Sequence, residues 1–206
     1  IRDICDEHHW ELIRDCFNKF KAPNVTACAI PVIRNEKEAF HNATTILNWW
    51  NATEQRSLEL SLEYRYMFVT DITNCYGSIN PQTIDSALSM QGTRYATSER
   101  HEWAHRIVTY LRALQNGRNI GIPQGSEIFN LLAEIILGYS DLILIEEIAQ
   151  EVPHCNYEVL RYRDDYRIFC DDKDKLEEIS YILQRILRRL NFQLNSKKTM
   201  VSDSII

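Results

Sequence analysis

The sequence has few of the residues that break a chain into pieces. Six glycines and five prolines are spread over 206 residues. No Gly/Ser-rich stretch, low-complexity segment or internal repeat occurs, which excludes a linker-joined array or a solenoid. No two cysteines have CxxC spacing; the six stand at 5, 16, 28, 75, 155 and 170. No Cys/His set matches a zinc module, so the thiols read as reduced and the protein as cytoplasmic. His8 and His9 are adjacent and diverge on a helix, whereas helical metal-binding histidines sit at i, i+4. The most apolar region, residues 128–145, is interrupted by Glu134 and Asp141. It reads as a buried helix, and no membrane partner is expected. The start, IRDICDEHHW, is polar and acidic and shows no secretory leader. It begins with Ile1, as a fragment or a processed product would. Positive charge is not in excess: the net charge is −6, which argues against a uniformly basic nucleic-acid binder. The distribution is uneven, however. Arg185, Arg188, Arg189, Lys197 and Lys198 cluster late, and Arg161, Arg163 and Arg167 surround Asp164 and Asp165.

What is present is the composition of a folded protein. Hydrophobic residues make up 45% and charged residues 25%, which excludes a disordered tail and allows one sizeable domain or one and a half. A helix-like start, HWELIRDCFNKF, precedes an extended piece, APNVTACAIPVIRN. The segment TTILNWWNATEQRSLELSLEY is roughly helical. Residues 64–72, YRYMFVTDI, read as a strand with Asp71 near its end. Asn80 and Pro81 start a helix. Trp103, Ile107, Val108, Leu111 and Leu114 line one face of another, which Gly117 stops. After the long apolar helix, the sequence LRYRDDYRIF makes a hairpin of strands 158–163 and 166–170, with the acids at the turn. Asp174 and Glu177 suggest a capping box for the next helix, and NFQL reads as a final strand.

This order, strand, helices, hairpin, helix, strand, suggests a split βαβ sheet. The end of the first strand then lies beside the hairpin tip, bringing Asp71 to Asp164 and Asp165. Adjacent carboxylates raise each other's pKa and repel unless a cation neutralises them. A few oxygen ligands, completed by substrate phosphates, suit Mg²⁺. Two such ions can stabilise the attacking and leaving oxygens of phosphoryl transfer. A pair of aspartates by itself reads only as a solvated turn.

Four motifs change that reading. TDITNCYGSI (70–79), GIPQGS (121–126), YRDD (162–165) and LNSKKT (194–199) stand in the order of the palm motifs of reverse transcriptases, across roughly residues 64–200. Longer phrases, such as LAEIILGYSDLIL and LRYRDDYRIF, resemble bacterial defence-associated enzymes. These are the abortive-infection and unknown-group relatives of retron and group II intron reverse transcriptases. The resemblance implies an α+β fold: a polymerase palm over residues 64–206, built as a split βαβ antiparallel sheet with helices on one face. Residues 1–63 would form partial fingers or an N-terminal helical region, and no thumb is apparent. Either the chain is truncated, or RNA, a partner protein or a homo-oligomer supplies that role. The implied activity is RNA-directed DNA synthesis in anti-phage defence. Its partners would be an RNA template, for which a dedicated noncoding RNA is one option, then dNTPs and a DNA product. Two Mg²⁺ ions, or Mn²⁺, would serve as cofactor. Untemplated or protein-primed synthesis, and an idle RNA-binding or assembly module, are the alternatives.

The resemblance also assigns residues. Asp71 and Asp164 would be the principal metal ligands, Asp165 a tuning or state-dependent one, and the Ile72 carbonyl would complete the shell. Tyr76 would pack under the nucleotide sugar and collide with a 2′-hydroxyl, or else be a core aromatic. Gly121, Pro123, Gln124 and Gly125 would border the nucleotide and templating base; without the resemblance they are a helix-initiating turn. Lys198 would meet the triphosphate or protonate the leaving pyrophosphate, with Lys197 as its alternative and a plain surface lysine as the bland reading. Arg34, with Lys37, is the candidate for gripping the triphosphate from the fingers. Two features depart from the family pattern. Arg163 fills a slot where many relatives carry a small or apolar residue, and SEIFN (126–130) replaces the usual glycine and Ser-Pro.

Overall fold

In chain order the elements are α1 (Glu7–Lys19), β1 (Val25–Ala27), α2 (Asn42–Glu63), β2 (Tyr66–Thr73), α3 (Cys75–Ser78), α4 (Pro81–Ser89), α5 (Ser98–Leu114), α6 (Glu127–Glu151), β3 (Tyr157–Tyr162), β4 (Asp165–Cys170), α7 (Lys173–Arg189), β5 (Gln193–Leu194) and β6 (Met200–Ser202). The structure is a computed structural model that describes residues 7–29, 42–119 and 121–203. Arg34 and Lys37 lie outside the described residues.

Strand periodicity sets the layers. Along β2, Phe68, Thr70 and Ile72 are buried, while Val69 and Asp71 between them are only partly covered. β4 repeats the pattern, with Tyr166 and Ile168 buried beside half-covered Asp165 and Arg167. The sheet runs β1-β3-β4-β2-β5, with β6 also on β2. The central pairings are antiparallel. β1, from the extended N-terminal piece, joins β3 in parallel.

The helices that follow β2 lie on one face, as the split βαβ order implies. α7 packs on β2, β4 and β5, α6 packs on α7, and α4 and α5 follow behind α6. Leu176, Ile179, Leu183 and Ile186 of α7 are fully buried, at about 1.5–3 kcal/mol each. α2 covers the β3–β4 hairpin from the opposite face. There Leu60 meets Leu160 and Phe169, and Arg167 donates to Glu54 and Ser57. α2 thereby closes the part of the sheet around Leu160, Arg167 and Phe169.

α6 is long and apolar enough to cross a membrane by length and composition, yet 67% of its most apolar stretch is buried in this fold. α1 sits closely on it. A Cβ added to Gly138 would lie 2.3 Å from the Phe20 ring, so glycine is what permits that approach. Asn80 caps α4 by accepting from the Thr83 amide, with Pro81 next.

Several local expectations shift. The hairpin turn is Arg163–Asp164, and Asp165 already belongs to β4. Arg163 has φ 55, the positive value that tight hairpin turns demand at their first position. The cap of α7 is Asp172, whose side chain accepts from the Asp174 and Lys175 amides; the Asp174–Glu177 box does not form the cap. Leu114, placed on the buried face of α5, is 69% exposed, because the helix ends there. NFQL yields only the two-residue β5, and β6 follows it.

Candidate active site

The register of two strands builds the site. Asp71 and Asp165 are direct partners across β2 and β4, so their side chains leave the sheet on the same face, with Cβ atoms about 4.5–5.5 Å apart. Asp164 stands on the turn beside them, and its carbonyl accepts from the Ile72 amide at 3.1 Å. That bond fastens the hairpin tip to the end of β2.

Their electrostatics follow from crowding. Burial pushes the Asp165 carboxyl up to about 6, with the charges of Asp164 and Asp71 adding to it. Asp164 is raised too, again by burial first and then by Asp71, against a backbone hydrogen bond that lowers it. Lys198 partly relieves this. Its Nζ lies 3.1 Å from Asp71 Oδ2, and that contact is the main cause of its raised pKa. Asn195 holds the same oxygen through Nδ2 at 3.2 Å, and its amide donates to the Asp71 carbonyl at 2.8 Å. Its own Oδ1 accepts from the Lys197 amide, the local bond by which an Asx residue fixes a turn. Lys198 therefore faces the acids, while Lys197 gives its main-chain amide to Asn195.

Among the described residues, no three acid, histidine or cysteine side chains form a ready-made metal cage. The donor set still fits a hard cation. It is all oxygen, over-charged and only partly buried, which leaves room for ligands brought by a substrate.

Arg161 and Arg167 do not join this cluster. Arg161 is buried beneath the hairpin, where Nε donates to Asp141 at 2.8 Å and Nη1 to Glu134 at 3.0 Å. Nη1 also donates to the Arg163 carbonyl at 3.0 Å. Tyr166 completes the network through Asp141 and Ser140. A buried cation, neutralised by two acids of α6, thus pins the turn that carries Asp164. Burial nonetheless holds Glu134 and Asp141 above the usual carboxylate range, against the opposing pull of Arg161. Their spacing on α6, Glu134 and Asp141 one heptad apart on an apolar helix, was the available signal for this network. Arg163 instead stays at the surface of the site: its charge acts on both Asp164 and the Tyr76 hydroxyl.

Tyr76 sits on α3, just after β2. Its carbonyl accepts from the Ile122 amide at 2.9 Å, and its hydroxyl donates to Asn130 Oδ1 at 2.8 Å. Gly121 makes the approach possible. Its φ is +69, and an added Cβ would come within 3.2 Å of Gly77 Cα. Pro123, Gln124 and Gly125 are exposed on the loop that continues from this contact. The loop borders an open cleft of about 440 Å³ lined by Gln115, Asn116, Arg118, Gly121, Ile122 and Pro123. Among the residues named from the sequence, Asp71, Ile72, Asp164, Asp165 and Lys198 come together, with Tyr76 and Arg163 beside them. Asn130 and Asn195 have no individual signal in the sequence beyond their places in SEIFN and LNSKKT.

An antiparallel sheet that carries acids at one strand end and at the adjoining hairpin tip, with its helices behind, is the palm of a nucleic-acid polymerase. The family model for reverse transcriptase (RNA-dependent DNA polymerase) matches residues 14–205, and the chain belongs to that family. No curated protein matches it. Among solved structures, it is similar to apo telomerase from Candida tropicalis truncated from its C-terminal domain. The TM-score there is 0.55 at 11% identity, covering 94% of this chain and 40% of that one. It is also similar to Candida tropicalis telomerase in complex with a TWJ fragment of telomeric RNA, at TM-score 0.56 and 12% identity, covering 94% and 33%. The Candida albicans counterpart, also with a TWJ fragment, gives 0.55 and 12%, covering 94% and 33%. At these identities the likeness is one of fold, and the chain spans well under half the length of each.

Proposed function

We propose that the chain is the catalytic palm of an RNA-directed DNA polymerase, extending a 3′-hydroxyl with dNTPs along an RNA template. The observation that carries this reading is the pairing of Asp71 with Asp165 beside the pinned Asp164, within a reverse transcriptase family chain. Asp71, Asp164 and the Ile72 carbonyl would hold divalent cations, with Asp165 tuning their charge. Mg²⁺ suits the all-oxygen set, and Mn²⁺ could replace it. When bound, two such ions supply charge neutralisation and Lewis acidity to an in-line phosphoryl transfer.

The chain's own residues do the positioning. Lys198, released from Asp71, would reach the triphosphate and can hold a proton for the leaving pyrophosphate. Tyr76 would lie against the sugar and exclude a 2′-hydroxyl. Pro123, Gln124 and Gly125 would border the base pair being formed. The domain division this implies is 1–63 as partial fingers and 64–206 as palm. The RNA-bound state of the Candida telomerases supports an RNA template. The resemblance of the LRYRDDYRIF and LAEIILGYSDLIL segments to bacterial defence enzymes supports an anti-phage role.

Titration with Mn²⁺ followed by electron paramagnetic resonance tests the site. The expected result is dNTP-assisted binding that is lost in Asp71→Asn and Asp164→Asn. If RNA binds but neither Mn²⁺ nor dNTP does, the chain is an RNA-binding module and the catalytic reading is wrong.

A further inference from the structure

Asn130 closes the SEIFN segment that departs from the family pattern, and it lies in the first turns of α6. Its Oδ1 accepts the Tyr76 hydroxyl proton at 2.8 Å. Tyr76 is thereby held twice: its main chain by the Ile122 amide, and the far end of its ring by Asn130. The hydroxyl is partly withdrawn from water, so a partner there avoids the cost of an unsatisfied polar group. The ring also packs against the core, and a bond at its far end fixes one rotamer, whereas a ring held by packing alone can shift between staggered wells. A barrier that swings aside excludes less.

We propose that Asn130 is a specificity-determining residue: by fixing the Tyr76 ring, it sets how strictly the site rejects a 2′-hydroxyl on the incoming nucleotide. This rests on the reading of Tyr76 as the residue against the sugar. The SEIFN departure then has a physical role. Within the segment that replaces the family's glycine and Ser-Pro, this chain carries an acceptor for its own tyrosine.

The test is single-nucleotide incorporation on an RNA template with a DNA primer and Mg²⁺, comparing each dNTP with its matching rNTP. Asn130→Leu and Tyr76→Phe delete the same bond from opposite sides. Each is expected to lower the dNTP-over-rNTP preference about 2- to 10-fold, the worth of one hydrogen bond. The double variant should fall no further than either single one. Asn130→Asp, which keeps an acceptor oxygen, should retain the preference, and Tyr76→Ala should lose most of it. If Asn130→Leu does not fold, Tyr76→Phe still removes the bond and decides the matter. An unchanged preference in Asn130→Leu or Tyr76→Phe, alongside its collapse in Tyr76→Ala, overturns the role of Asn130 and leaves the gate reading intact. An unchanged preference in Tyr76→Ala overturns both. A wild type that incorporates no dNTP removes the polymerase reading beneath them.

Discussion

Replacing Arg161 with methionine perturbs the support of the site while leaving every proposed catalytic group in place. Arg161 is 1% exposed and lies between Asp141 and Glu134, which are 1% and 6% exposed. Removing one partner of such a buried set costs about 3–5 kcal/mol, out of about 5–15 kcal/mol for a typical domain. With a urea slope of about 2 kcal/mol/M, the unfolding midpoint falls by about 2 M. The loss is smaller at pH 5 than at pH 8. Burial already raises both acids, and a carboxyl whose folded pKa is raised costs stability as pH climbs past its unfolded value. Replacing the whole triad, as Arg161→Met with Glu134→Leu and Asp141→Leu, should recover most of the stability, because well-packed apolar groups often match a buried ion network. Primer extension should not recover with it, since the Arg163 carbonyl still lacks its donor and the Asp164 turn is no longer pinned. Urea titration and primer extension on the two variants decide the question. An unchanged midpoint in the single variant refutes the buried pairing, and full activity in the triple variant refutes the pinning.

Three further outcomes follow from the same geometry. In metal-free buffer, Asp165→Asn should match the parent's melting temperature near about pH 4 and exceed it above about pH 6. The parent carboxyl stands at about 6 against an ordinary 3.8, so parental stability declines as pH rises between those values. The gain is ~1–2 kcal/mol after allowance for solvent contact, and added Mg²⁺ should reverse the order. Gly121→Ala forces a side chain onto a positive φ and against Gly77. It should cost about 1–2 kcal/mol in thermal denaturation and slow dNTP incorporation. Lys198→Gln should reduce the rate of incorporation by about 10²-fold, the usual worth of a positioned acid, with little change in melting temperature.

The sequence shows the palm because its local signals agree: alternation in β2 and β4, the Asn80–Pro81 start, and the apolar stripe of α7. The meeting of Asp71 with the acid pair was legible from element order alone, since a split βαβ sheet sets its first strand beside the hairpin. The fates of the three arginines were not. Arg161, Arg163 and Arg167 alternate along one hairpin, and pairing partners distant in sequence decide where each charge ends. Glu134 and Asp141 draw Arg161 under the sheet, Glu54 draws Arg167 to α2, and the turn leaves Arg163 at the site. Asn130 was hidden for the same reason, because its partner Tyr76 lies 54 positions away. The one-residue shift of the turn is not legible in the sequence, because aspartate is a standard turn residue and a left-handed arginine is uncommon.

Sequencing the DNA made by the purified chain from a defined RNA template, with a primer, dNTPs and Mg²⁺, tests the central claim most directly. The expected product is complementary to the supplied RNA, dependent on the divalent ion and absent with Asp164→Asn. A product unrelated to the template, or one that survives Asp164→Asn, contradicts it.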